Sequence, residues 1–227
     1  MELLIVGFTL YIANIVFSLF ISISIIERLY ISKKYNKEDN FHLYNNLFSW
    51  ELSFILISIS NVLQIISSMI TNNYVFSIIM LKISILLIIN VFWGNIIHSE
   101  KVMDIITYER HILAGFIPMI MLIVLFFLNL EFIILIFLLI SLFPYIIITL
   151  FLKNTGQIVK KSINICFGAI FIGMGLIFHP EVLKSFIGFQ TIPENLLSMM
   201  NIIAPISFII GTMLIFNVIR KDIFPKN

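Results

Sequence analysis

The sequence predicts an all-α fold: a polytopic integral membrane bundle of seven transmembrane helices, N-terminus outside and C-terminus cytoplasmic. Three observations lead there. Hydrophobic residues make up 60% of the 227 and charged residues 11%, with a mean hydropathy of +1.10, whereas soluble domains carry charge on about a quarter of their residues. Apolar stretches of the length a helix needs to cross roughly 30 Å of hydrocarbon, about 20 residues, recur seven times along the chain. Twelve of the fourteen Lys and Arg residues fall in every second gap between those stretches, the bias that keeps cationic loops on the cytoplasmic side.

Span 1 (3–26) has no basic segment before it and is longer than a signal-peptide core, so it is expected to stay in the mature chain. Loop 1 carries Arg28, Lys33, Lys34 and Lys37. Spans 2 (47–70) and 3 (74–97) are separated by three residues and must form an antiparallel hairpin. Loop 3 (98–111) holds Lys101 and Arg110, contains no Pro or Gly, and is expected to prolong helix 3 into the cytoplasm. Spans 4 (112–128) and 5 (132–152) form a second hairpin about a turn at 129–131, and loop 5 follows with Lys153, Lys160 and Lys161. Span 6 (163–178) leads into loop 6 (179–195), where Val182, Leu183, Phe186, Ile187 and Phe189 predict a short interfacial helix bounded by Pro180 and Pro193. Span 7 (196–219) ends in a tail with Arg220, Lys221 and Lys226. Lys184 is the one cation expected in the outer segments, and Lys82 lies inside span 3. Pro118, Pro144 and Pro205 should kink spans 4, 5 and 7. The spans consume the chain, so a single domain is expected.

The formal charge of +2 gives no nucleic-acid footprint, and the partner that the composition demands is the lipid bilayer of a cell membrane. Cys166 is alone, which excludes an intramolecular disulfide. His42, His98, His111 and His179 all fall near membrane boundaries, with no His or Cys at metal-ligand spacing, so no metal site is assigned. His179 is expected in a solvated outer loop, the alternative being a proton-sensitive cluster with Glu181 and Glu194. Neither Gly-x-Ser-x-Gly nor His-Glu-x-x-His occurs. No catalytic residue and no cofactor is assigned, and the chain is expected not to be an enzyme.

Polar residues inside the spans carry the functional reading. Lys82 sits about eight residues, roughly 12 Å, from the outer end of span 3, and a cation at such depth is a functional hypothesis by default. Because the hairpin of spans 2 and 3 turns near Asn72, residues whose numbers add to about 144 share a depth, which puts Asn61 level with Lys82 and Gln64 about a turn away. Those amides are its expected partners. The alternatives are a snorkelling amine, a deprotonated one, a watery pocket or an anionic ligand. In span 2, Ser53, Ser60, Asn61, Gln64, Ser67 and Ser68 fall within roughly a 120° arc at 100° per residue. Gly7, Tyr11, Asn14, Ser18 and Ser22 trace a stripe on span 1, and Ser198, Asn201, Pro205 and Thr212 a looser one on span 7. Such rows avoid lipid and imply a polar seam, serving either as interhelical hydrogen bonds or as a hydrated ligand or ion cavity. The candidate seam residues are Lys82, Asn61, Gln64, Asn14 and Asn201. Ala169 and Gly173, with Gly168 and Gly175 nearby, let span 6 approach a neighbour closely, within or between molecules.

Span 7 has no lysine for a retinal Schiff base and no Asn-Pro-x-x-Tyr, which separates the chain from microbial rhodopsins and G-protein-coupled receptors. The basic Lys160-Lys161 entry to a Gly-rich span 6, Pro205 and Gly211 in span 7, and the tight outer turns give a different likeness. In these the chain resembles the compact seven-helix sensor-like membrane modules of prokaryotic signalling proteins. That resemblance implies a sensor-like or partner-binding role, and it transfers no residue assignment. Since the sequence ends at Asn227, output is expected to pass through other membrane or cytoplasmic signalling proteins. The competing expectations are a small transporter or channel component for an anionic or polar solute, and a structural subunit of a larger membrane complex, which would expose the small-residue face of span 6.

Overall fold

Residues 8–35 contain neither proline nor glycine, and the first helix runs unbroken through them: α1 spans Glu2–Tyr35. The computed structural model describes residues 2–35, 41–69, 74–97, 123–124, 126–130, 132–137, 156–187 and 193–224. The further helices are α2 (Phe41–Met69), α3 (Tyr74–Ile97), α4 (Gly156–Ile177), α5 (Pro180–Ile187) and α6 (Glu194–Ile223). Helical residues also occur within 123–137, on either side of a break at Leu128 and Asn129. The described residues contain no strand.

Four of these helices carry apolar stretches of membrane-crossing length: Leu3–Ile31, Trp50–Met69, Tyr74–Phe92 and Asn195–Arg220. The apolar part of α4, Ile163–Ile177, is shorter, because Lys160 and Lys161 lie inside the helix and not before it. The described residues thus form an all-helical bundle with four helices long and apolar enough to cross a membrane. α3 keeps the predicted ends of span 3, whereas α1 outruns span 1 at its C-terminal end, past Glu27 and Arg28, where nothing in the sequence breaks a helix. The break at Leu128–Asn129 falls beside the predicted turn at 129–131. The turn at 71–73, loop 3, and most of spans 4 and 5 with Pro118 and Pro144 lie outside the described residues.

Inter-helix contacts fix the directions. Ser67 pairs with Ser77 and Ser60 with Ser84, so α2 and α3 are antiparallel in the register the hairpin predicts. α1 and α6 run parallel: Gly7 meets Asn201, Tyr11 meets Phe208, and Phe17 meets Phe216. α4 and α6 are antiparallel, with Gly175 against Ala204 and Phe208 and Gly168 against Gly211 and Ile215. The chain's first and last helices therefore start at the same end of the bundle, called here the α5 end.

Gly168 and Gly175 of α4 are spent inside the molecule. A Cβ on Gly211 would lie 2.6 Å from Ile172 Cγ1 and 2.7 Å from the Gly168 carbonyl, so the α4–α6 approach is backbone to backbone. Ala169 is fully buried with them. Pro205 does not end α6; its missing N–H frees the carbonyl of Asn201 four residues earlier, and the α1 backbone passes that carbonyl at Gly7.

Away from the α5 end the interior is mainly apolar, although Ser22, Ser53 and Ser58 are buried there as well. Ile21, Ile25 and Leu29 of α1, Leu47, Trp50 and Phe54 of α2, and Ile88, Ile89 and Phe92 of α3 are buried together. Phe92 meets Phe137 edge-on, with ring centroids 5.8 Å apart. The outward positions Ile12, Val16, Phe20 and Ile23 of α1 are exposed and apolar, as a lipid-facing surface requires.

Candidate functional site: a buried polar layer below α5

Tyr11, Asn14 and Ser18 recur on α1 at spacings of three and four, one face of a helix, and all three are at most 4% exposed. On α2, Asn61 and Gln64 are three apart and fully buried. The contacts already described bring these faces to one level. Tyr11 is level with Phe208, and Phe208 with Gly175. His179 follows Gly175 by four residues, about 6 Å of helical rise toward the α5 end, and its imidazole meets Ser68. Gln64 precedes Ser68 by four residues, about 6 Å back into the bundle. Gln64 is therefore level with Tyr11, and Asn61 with Asn14, one turn deeper.

Both α2 amides have their nitrogens engaged. Asn61 Nδ2 donates to the Ile57 carbonyl at 2.8 Å. Gln64 Nε2 donates to Ser84 Oγ at 3.0 Å and Ser60 Oγ at 3.3 Å. These bonds set the amide orientations, since a flip would oppose the Asn61 oxygen to another carbonyl oxygen. The amide oxygens point elsewhere and find no partner. Among the described residues seven buried side-chain polar atoms lack a hydrogen bond, and six belong to these residues of α1 and α2: Tyr11 Oη, Asn14 Nδ2 and Oδ1, Ser18 Oγ, Asn61 Oδ1 and Gln64 Oε1. The seventh is Arg28 Nε, far down α1. Each unsatisfied buried group costs about 1–3 kcal/mol, so six such atoms on two helices require a physical explanation.

Lys82 shares the depth of this layer but not its direction. It is two residues from Ser84, which faces α2, and so sits about 160° around α3 from it. Its Nζ donates to the carbonyl of Phe126 at 3.3 Å, beside the break at Leu128–Asn129, where helix-terminal carbonyls lack N–H partners. The amide oxygens of Asn61 and Gln64 accept nothing, so the amide pair expected for Lys82 gives way to a backbone carbonyl. Numbers adding to 144 fix height along a hairpin; they do not fix azimuth. Asn201 is half-buried and level with Gly7, about two turns nearer the α5 end than Phe208. Asn14, Asn61 and Gln64 thus lie at neighbouring heights, whereas Lys82 turns to Phe126 at the same depth and Asn201 lies nearer the α5 end.

The sequence reading missed two contributors. His179 is fully buried, not solvated. Its Nδ1 accepts from the backbone N–H of Glu181 at 3.4 Å, and its carbonyl from Leu183 N at 3.0 Å: His179 is the N-cap of α5, with Pro180 at the first helical position. The remaining nitrogen, Nε2, meets Ser68 Oγ at 3.1 Å, and Ser68 donates to the Gln64 carbonyl. α5 is thereby fastened to α2 directly above the layer. Burial, with a smaller push from the Lys184 ammonium, holds the imidazole well below its ordinary value of 6.5, at about 4. Lys184 itself pairs with Glu181 at 2.6 Å. A polar residue before Pro at a helix start was the available signal. The other omission is Ser84, whose seven-residue spacing from Ser77 matches that of Ser60 and Ser67 on the facing helix.

Among the described residues no three His, Cys, Asp or Glu side chains come together to hold a metal ion. What the layer offers is uncharged: three amide groups and two hydroxyls inside a membrane bundle, under a short helix. Comparison of the chain with protein-family models, with curated proteins and with solved structures finds no match in any of the three.

Proposed function

We propose that the chain is a non-enzymatic, sensor-like membrane subunit of seven spans, multi-pass in the cell membrane, with its N-terminus outside, that takes a small polar ligand into the layer below α5. The observation that carries this reading is the set of six buried polar atoms without partners. A site that is only interhelical glue pairs its groups across helices, as Ser60, Ser67, Ser77 and Ser84 do. The amide oxygens of Asn61 and Gln64 do not. The α5 end is the outer end by the cation rule, and α5 is the element that a bound ligand would move. Output passes to a membrane or cytoplasmic signalling partner.

Transport of a polar solute is the second reading. The mainly apolar interior below the layer, in which Ile21, Ile25, Phe54, Ile88 and Phe92 are buried along with Ser22 and Ser53, favours binding over conduction. A structural subunit is less well supported, since Gly168, Ala169 and Gly175 are consumed by the contact with α6.

The test is thermal unfolding and flux on one preparation, the purified chain in nanodiscs and in proteoliposomes, against a panel of small polar solutes. Stabilisation of the wild type that Asn14→Leu abolishes, without solute flux, is the expected result. Flux of the stabilising solute moves the assignment to a carrier. A wild type indifferent to every solute, paired with an Asn14→Leu variant more stable than it, refutes ligand binding outright.

A further inference from the structure

We infer that the flank of α3 around Lys82 is a hydrated notch to which the headgroup layer of the bilayer dips, with a phospholipid phosphate accepting from the Lys82 ammonium. The notch is separate from the layer below α5 and needs only that the helices cross a bilayer. Two contacts set the height of the break at Leu128–Asn129. Lys82 Nζ donates to the Phe126 carbonyl at 3.3 Å, three residues before Asn129. Phe137 meets Phe92 edge-on, and the helix that reaches it opens with Ile133 N donating to the Asn129 carbonyl at 3.2 Å. The eight residues from Asn129 to Phe137 rise about 12 Å, and the ten from Lys82 to Phe92 about 15 Å. Both contacts therefore bring the break to within about a turn of Lys82. Helix α3 begins at Tyr74, eight residues or about 12 Å nearer the α5 end, so the break lies well inside the apolar stretch Tyr74–Phe92.

The break also faces outward. Leu130, Ile133, Ile134 and Phe137 are buried, whereas Phe127 is 79% exposed, Asn129 is exposed and Lys82 is half-buried. A helix break leaves terminal carbonyls and N–H groups without intrahelical partners, and irregular backbone at membrane depth is tolerated only inside protein or against water. Lys82 gives one donor to one of those carbonyls, and an ammonium has three. Its other two hydrogens find no acceptor among the described residues. The sequence adds Glu131, outside the described residues, a carboxylate two positions beyond Asn129. An ammonium, an amide and a carboxylate at a helix break belong among headgroups and water, not among acyl chains.

Chain length points the same way. The predicted spans 1, 2 and 3 have 24 residues each, about 36 Å, whereas span 4 (112–128), which ends at the break, has 17, about 26 Å. A span shorter than the hydrocarbon is accommodated by local thinning of the bilayer, and the shortfall of about 10 Å agrees with the depth of the break to within a turn. Thinning brings phosphates toward the amine, which snorkels to meet them. A phosphate oxygen accepts strongly from an ammonium, which the apolar face of a partner helix cannot do.

The test places nitroxide labels on the whole chain in phosphatidylglycerol nanodiscs, with Cys166→Ser as background. One label is carried by Asn129→Cys, whose native side chain is exposed. The other is carried by Val16→Cys, 61% exposed on the lipid-facing side of α1 and close to the height of Ser60 and Ser84. The ratio of collisions with a neutral nickel chelate to collisions with oxygen should be severalfold higher at position 129 than at 16. A ratio at 129 no higher than at 16 overturns the notch, whether acyl chains or a second copy of the chain fill it. Native mass spectrometry from phosphate-free solution, where lipid is the one source of phosphate, tests the amine. Lys82→Met should lower the retained phosphatidylglycerol about fivefold, the weight of one cation at an anionic headgroup surface, and Lys82→Arg should keep it. Equal retention in the wild type and Lys82→Met overturns the phosphate assignment.

Discussion

Acidification should release α5. His179 is fully buried at the junction of α4 and α5, outside the apolar spans, with its ring between the Glu181 amide and Ser68. Glu181 and Lys184, the charged groups beside it on α5, are paired with each other, and α2 presents only Ser68 and the Gln64 carbonyl. Desolvation therefore dominates, and it favours the neutral ring. With α5 detached, the ring regains its ordinary value of 6.5; docked, it titrates at about 4. A depressed docked value means that docking is at full strength above the detached pKa and weakens as pH falls from 6.5 toward about 4. Between about pH 7 and about pH 5 the detached population should grow roughly 20-fold, equivalent to about 1.8 kcal/mol. Amide exchange of α5, corrected for its intrinsic pH dependence, measures that population. Exchange in α5 that does not accelerate on acidification refutes the reasoning, and so does acceleration that persists in His179→Gln, which has nothing to titrate.

Two further substitutions probe the frame around the layer. Gly7→Ala sets a Cβ against the Asn201 carbonyl, a backbone atom that cannot swing aside; unfolding in nanodiscs should show a loss of about 1–3 kcal/mol, and an unchanged Tm would remove the α1–α6 contact from the account. Lys82→Met leaves the Phe126 carbonyl without its donor, a loss of about 1 kcal/mol. Faster amide exchange should appear near the break at Leu128–Asn129, with the ligand response of the layer intact. A lost response would place Lys82 in the site after all.

Some of this molecule is legible without coordinates. Unbroken apolar runs and their spacing determine that the chain is helical and meant for a bilayer, because backbone polar groups in hydrocarbon must pair within their own helix. The three-residue gap between spans 2 and 3 determines an antiparallel hairpin, and with it the register that pairs Ser60 with Ser84 and Ser67 with Ser77. Helical periodicity puts Tyr11, Asn14 and Ser18 on one face. All of these follow from distances along the chain of a few residues, where covalent geometry dictates the outcome.

Tertiary structure alone decided which faces meet. Height along a helix follows from residue number, but azimuth between helices depends on how each pair packs, so Lys82 turned to Phe126 while Asn61 and Gln64 turned inward. His179 was drawn from an apparent loop into the interior because α5 docks against α2, a contact between residues more than a hundred positions apart. The shared height of Tyr11, Asn14, Asn61 and Gln64 arises because α1 stands beside both α2 and α6, and no local rule of sequence specifies that arrangement.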